Sequence, residues 1–153
     1  MERALQSRLN PWVVLLVVFA GIVAAIAVPN LKLARMTANE SYARTSLRTI
    51  NAAELKFIQL NPAKGYACSL TTLSEARLIS DQLASGLEKG YKFEISDCGL
   101  ENPNGVYRVS AQPVAKNHTG YWVFCTDQTA RIKGSPTSRE DCFNVGVERP
   151  LAR

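Results

Sequence analysis

Hydrophobic and polar positions along the chain fall into three patterns. From Trp12 to Val28 the sequence reads WVVLLVVFAGIVAAIAV, with no charged residue. At 1.5 Å per residue, a helix of roughly 17 residues covers about 26 Å, close to the ~30 Å hydrocarbon core of a bilayer. The run is therefore expected to be a transmembrane helix or the core of a long signal peptide. From Leu31 to Leu60 the pattern becomes amphipathic. Met36, Ala43, Leu47, Ile50, Phe57 and Ile58 recur at three- and four-residue spacing, glycine is absent, and Pro62 stops the helix. Lys32, Arg35, Arg44, Arg48 and Lys56 fall mostly off that face. Glu54 interrupts it and is expected to pair across a turn with a basic residue. Joined through Pro29, the two segments predict a single stem about 50 residues long, bent at the proline.

The third pattern is period-two alternation. A loop after Pro62 leads to a short predicted helix, Leu73 to Ile79, capped by Thr72 or Ser74. Tyr91, Phe93 and Ile95 then alternate with Lys92, Glu94 and Ser96, the mark of a half-buried strand. Asn102 to Gly105 reads as a turn. A second strand runs from Val106 to Ala111, with Tyr107, Val109 and Ala111 on one face, and Pro113 ends it. A third, Tyr121 to Thr126, is apolar on both faces and hence central or covered. Arg131 to Lys133 makes a short fourth. Three or four antiparallel strands need a cover, and the amphipathic helix supplies one. The expected fold class is α+β. Its segments are a leader-like 1–11, an apolar stem 12–28, an amphipathic helix 29–61, a loop with a short helix 62–90, and a sheet with a cysteine-containing tail 91–153.

Composition adds the compartment. All four cysteines, Cys68, Cys98, Cys125 and Cys142, lie beyond the apolar run, none in a C-x-x-C pair, and the single histidine is His118. Zinc-site spacing is absent, and the even count points to two disulfides in an oxidising compartment. Four cysteines allow three connectivities; the two local loops, Cys68–Cys98 and Cys125–Cys142, are favoured. Arg3 and Arg8 precede the apolar run, whereas Lys32, Arg35, Arg44 and Arg48 follow it, so flanking charge slightly favours a cytoplasmic C-terminus. The cysteines point the other way and carry more weight, because a structured domain translocates largely regardless of flanking charge. The net charge of +5 is spread as single residues, which argues against nucleic acid as a partner.

Catalysis finds little support. His118 lies between Asn117 and Thr119 in a turn-like loop, and no G-x-S-x-G, phosphate loop or dinucleotide fingerprint occurs. Asp127 reads as a solvated turn residue rather than a calcium ligand, and Trp122 and Phe124 as core rather than a binding patch. No enzyme activity, cofactor or metal is expected.

The segments Gly21 to Asn30 (GIVAAIAVPN), Leu31 to Glu40 (LKLARMTANE) and Ser46 to Asn51 (SLRTIN) resemble the N-terminal helix of type IV pilins and type II secretion pseudopilins. Gly90 to Ile95 and Thr126 to Ile132 resemble the first strand and last-hairpin region of small bacterial pilins. The resemblance implies a long helix whose C-terminal half packs on an antiparallel sheet. It also implies a filament subunit held in the bacterial inner membrane, with its C-terminal domain in the periplasm and later at the cell surface. The implied partners are other pilin-like subunits and assembly platform proteins, and the implied roles lie in pili, motility, adhesion or type II secretion. Gly21 and Pro29 bound the stretch that can lose helicity in the family's filaments.

Two departures are visible. The leader junction falls at Ser7 and Arg8, where the family has Gly and a hydrophobic residue, and the family's glutamate position is occupied by Trp12. Ala25-Ile26-Ala27 offers an ordinary signal-peptidase site instead. The alternative expectation is a non-polymerising pilin-derived binding or adhesion domain, anchored or released.

Overall fold

In the computed structural model, residues 10–98 and 105–148 are described. Ser7, Arg8 and most of the 102–105 turn lie outside them. Helix α1 runs from Pro11 to Leu60, 50 residues, and continues through Pro29. Proline suits its first position, since no intrahelical partner exists there for the missing N–H, and Asn10 Oδ1 accepts from the Trp12 N–H at 3.2 Å. The chain divides into two compact units, one ending at Ala34 and one beginning at Arg35. In the first, every described residue is exposed, including the whole apolar run.

The second unit is an α+β domain. After α1 come two short helices, α2 (Leu70–Glu75) and α3 (Asp81–Ala84). The strands are β1 (Leu87–Glu88), β2 (Tyr91–Ser96), β3 (Arg108–Pro113), β4 (Val123–Asp127) and β5 (Lys133–Ser135). Helix α4 (Arg139–Val145) and strand β6 (Val147–Glu148) follow. Among the described residues the six strands form one antiparallel sheet in simple chain order. The central register pairs Tyr91 with Pro113 and Ser96 with Arg108, then Arg108 with Asp127.

The C-terminal half of α1 covers one face. Ala43, Leu47, Ile50, Ala53 and Phe57 pack with Tyr91, Phe93, Tyr107, Val109, Ala111 and Phe124 in the main core. Met36 and Ile58, expected on the same face, are only half-buried. A smaller cluster of Val123, Cys125, Cys142 and Phe143 lies under α4. Alternate residues of β4 thus serve two cores, which is why that strand is apolar on both faces.

Several element boundaries differ from the sequence expectation, each for a local reason. Helix α2 begins at Leu70 because Ser69, rather than Thr72 or Ser74, is its cap: the Ser69 hydroxyl accepts from the Thr72 N–H at 3.0 Å. It ends before Ile79, since Arg77 turns left-handed at φ 57°. Strand β3 begins two residues after Val106; Tyr107 is nonetheless buried. Strand β4 starts at Val123 because the N–H groups of Tyr121 and Trp122 bond to Glu40 Oε1, at 2.9 and 3.3 Å, not to a neighbouring strand. The fourth predicted strand shifts to Lys133–Ser135 because a turn at Asp127, with Ala130 left-handed at φ 59°, occupies the preceding residues.

Candidate functional site

Two surfaces carry the chemistry of this chain. The first is the outer face of α1 from Trp12 to Val28. Its β-branched and leucine side chains make a helix with an apolar surface all round, and Trp12 is 73% exposed. The helix is long and apolar enough to cross a membrane. Such a surface is stable only against lipid or other apolar helices. Gly21 has open space where a Cβ would stand. It offers the closest approach along this face, and Pro29 lacks the donor for one helical hydrogen bond.

The second is the seam between α1 and the sheet, where polar residues interrupt an otherwise apolar contact. Glu40, Arg44, Asn51 and Glu54 share the three- and four-residue spacing of Leu47, and this spacing is the signal that could have revealed them. Asn39 Nδ2 donates to the Thr119 carbonyl at 2.8 Å. The Arg44 guanidinium lies 4.7 Å over the Phe124 ring, so Arg44 belongs to the buried face rather than off it. Asn51 donates to Thr126 Oγ1 at 2.8 Å and accepts from the Tyr107 hydroxyl at 3.0 Å. Tyr91 donates its hydroxyl to the Trp122 carbonyl at 2.9 Å. These directional bonds set the rotation and axial position of α1 on the sheet, which apolar packing alone specifies weakly.

Glu54 does not pair with a basic residue. Its Oε2 accepts the Ala67 N–H at 2.7 Å, tying α1 to the loop before Cys68. The side chain is fully buried. Burial pushes its pKa above the ordinary carboxylate value, opposed by the N–H groups of Ala67 and Cys68. Tyr91 and Tyr107 are also raised, first by burial and next by Glu40 and Glu54 respectively.

The disulfides join Cys68 to Cys98 and Cys125 to Cys142. The first ties the Glu54-anchored loop to the end of β2. The second ties β4 to α4. A groove of about 830 Å³ lies beside the first, between Phe57, Ile58, Tyr66, Ala67 and Val106. Its lining is mostly apolar, with Lys64, Tyr66 and Thr72 adding an amine and two hydroxyls. His118 is exposed in its loop. Asp127 Oδ1 accepts from the Thr129 N–H and hydroxyl, at 2.8 and 2.6 Å, which makes it the anchor of a turn. Phe124 is core, whereas Trp122 is half-buried. Among the described residues no three histidine, cysteine or acidic side chains gather as a metal site.

No protein-family model, curated protein or solved structure matches the chain.

Proposed function

We propose that the chain is a structural subunit of a type IV pilus- or pseudopilus-like filament, without enzymatic activity. The first half of α1 would hold it in the inner membrane before assembly, with the second unit in the periplasm and then on the filament surface. One observation carries this reading: a single helix joins an apolar, fully exposed half to a half buried against an antiparallel sheet. An apolar surface of that kind suits both lipid and a bundle of identical helices. Transfer between the two exchanges one apolar environment for another at small cost. The disulfides suit a small domain that must stay folded outside the cytoplasm.

Trp12, at the family's glutamate position, favours a second reading, a pilin-derived binding or adhesion domain that stays in the membrane. A subunit without that carboxylate lacks a charged partner for a neighbour's N-terminal amine. N-terminal sequencing and intact mass of the chain from membrane, sheared-filament and medium fractions separate the readings. A start near Arg8, with recovery in filaments or a secretion complex, supports the subunit. A start at Val28 removes the apolar stem and rules it out. Retention of Met1 in membranes, with no filament or secretion-complex partner, supports the anchored domain.

A further inference from the structure

At one end of the second unit, three segments meet and expose aromatic and cationic side chains together. Helix α1 contributes residues 35–42 there, with Asn39 bonded to the Thr119 carbonyl at 2.8 Å. The Lys89–Gly90 turn between β1 and β2 packs against the same loop. Val114 N–H bonds to the Gly90 carbonyl at 2.9 Å, and a Cβ on Gly90 would come within 2.8 Å of Thr119. The 114–121 loop is the third.

From this end stand Tyr42 and Tyr121, 54% and 42% exposed. Each has a lysine over its ring: Lys89 Nζ lies 5.6 Å from the Tyr42 centroid, and Lys116 Nζ 5.4 Å from that of Tyr121. Lys116 Nζ also donates to the Pro136 carbonyl at 2.6 Å, which holds its charge at this end without neutralising it. Arg35 is exposed one helical turn before Asn39. The neighbouring carboxylates bond to the protein: Glu40 accepts from Tyr121 and Trp122 N–H groups, and Glu88 accepts from Ser46 Oγ at 2.8 Å. Arg35, Lys89 and Lys116 are exposed, so cations outnumber these two carboxylates at this end.

Tyrosine with an amphipathic lysine beside it is the side-chain chemistry of a membrane–water interface. Arg35, where this surface begins, follows Val28 by seven positions of α1, about 10 Å of helical rise and near a Debye length, and Tyr42 follows it by fourteen, about 21 Å. We propose that Arg35, Tyr42, Lys89, Lys116 and Tyr121 form a surface that binds the headgroups of anionic lipids, holding the domain against the bilayer that anchors α1. The proposal rests on the membrane reading of residues 12–28 and is independent of filament assembly.

Hydrogen exchange of the full chain tests it, in nanodiscs of phosphatidylcholine alone and of phosphatidylcholine with phosphatidylglycerol. Amides of 89–93 and 115–121 should exchange on the order of tenfold more slowly in the anionic discs at low salt. That difference should vanish at high salt and in the K89Q/K116Q variant. Unchanged protection of 109–111 reports that the variant is folded; should that protection be lost, the salt dependence of the unmodified chain decides. Equal exchange in the two lipids overturns the proposal. Protection that rises with the number of chains per disc, independent of lipid charge, also overturns it and assigns the face to a second copy. A chain recovered outside both kinds of disc overturns the membrane reading itself, and with it this contact.

Discussion

The Tyr107 hydroxyl donates to Asn51 Oδ1 at 3.0 Å, across the contact between the sheet and α1. Both side chains are buried, and Asn51 spends its amide on Thr126 Oγ1 at 2.8 Å. One asparagine thus joins the helix to β4 and to the residue just before β3.

Asn51→Ala leaves the Tyr107 hydroxyl and the Thr126 hydroxyl without that partner in a buried seam. The expected loss is about 2 kcal/mol of unfolding free energy, measured by denaturant titration of the full chain in detergent. Combining it with Tyr107→Phe should cost less than the sum of the two single changes, because the phenylalanine leaves no orphaned hydroxyl. Strict additivity would mean that the bond contributes nothing.

Glu54 predicts a pH dependence. Its pKa is raised in the folded state, so folding holds the proton more tightly than the unfolded chain does. Its favourable contribution is present below the ordinary carboxyl value and is lost as pH rises through the raised one. Glu54→Gln keeps an acceptor for the Ala67 N–H but cannot ionise. The Tm of the unmodified chain should therefore fall relative to Glu54→Gln as pH rises from about 4.5 towards neutrality. A difference that stays flat over that range would contradict the assignment.

The two disulfides close loops with sequence separations of 30 and 17. Loop-closure entropy assigns each roughly 3–4 kcal/mol, slightly more for the longer. Replacing either pair by alanine should lower the unfolding free energy from denaturant titration by a comparable amount. Intact mass without reductant should lie about 4 Da below the fully reduced value, two hydrogens for each disulfide.

Gly120 lies against the Tyr91 ring, where a Cβ would come within 2.8 Å of ring carbons. Tyr91 is fully buried and its hydroxyl is bonded to Trp122, so the ring has no room to withdraw. Gly120→Ala should cost about 1–3 kcal/mol. Gly21→Ala meets open space and should leave the second unit's stability unchanged in the same assay.

Phe19→Arg places a charge near the middle of the apolar run from Trp12 to Val28. The expected penalty for membrane insertion is about 3 kcal/mol. Alkaline extraction of membranes should release the variant while retaining the unmodified chain. Equal retention would argue that this half of α1 does not lie in lipid.

The apolar run and the period-two strands were legible because each depends on side chains close together in sequence. Tyr91, Phe93, Val109 and Ala111 are buried as their alternation predicts, and Ala43, Leu47, Ile50 and Phe57 face the sheet at helical spacing. The polar seam was hidden in the same pattern. Arg44 read as lying off the apolar face and Glu54 as interrupting it, yet Arg44 sits over the Phe124 ring and Glu54 accepts a backbone N–H from a separate loop. Strands β1 and β6 have only two residues each, too short for any periodicity to register. Helix α4 became visible only where Cys142 meets Cys125 beneath it. By itself the sequence determined that an apolar helix precedes an α+β domain, since burial period is a local property of the chain. Tertiary structure alone decided where strands begin and which polar groups lie inside, and of the three possible cysteine pairings it formed the local one that the sequence only favoured. Those outcomes depend on hydrogen-bond partners brought together only by folding.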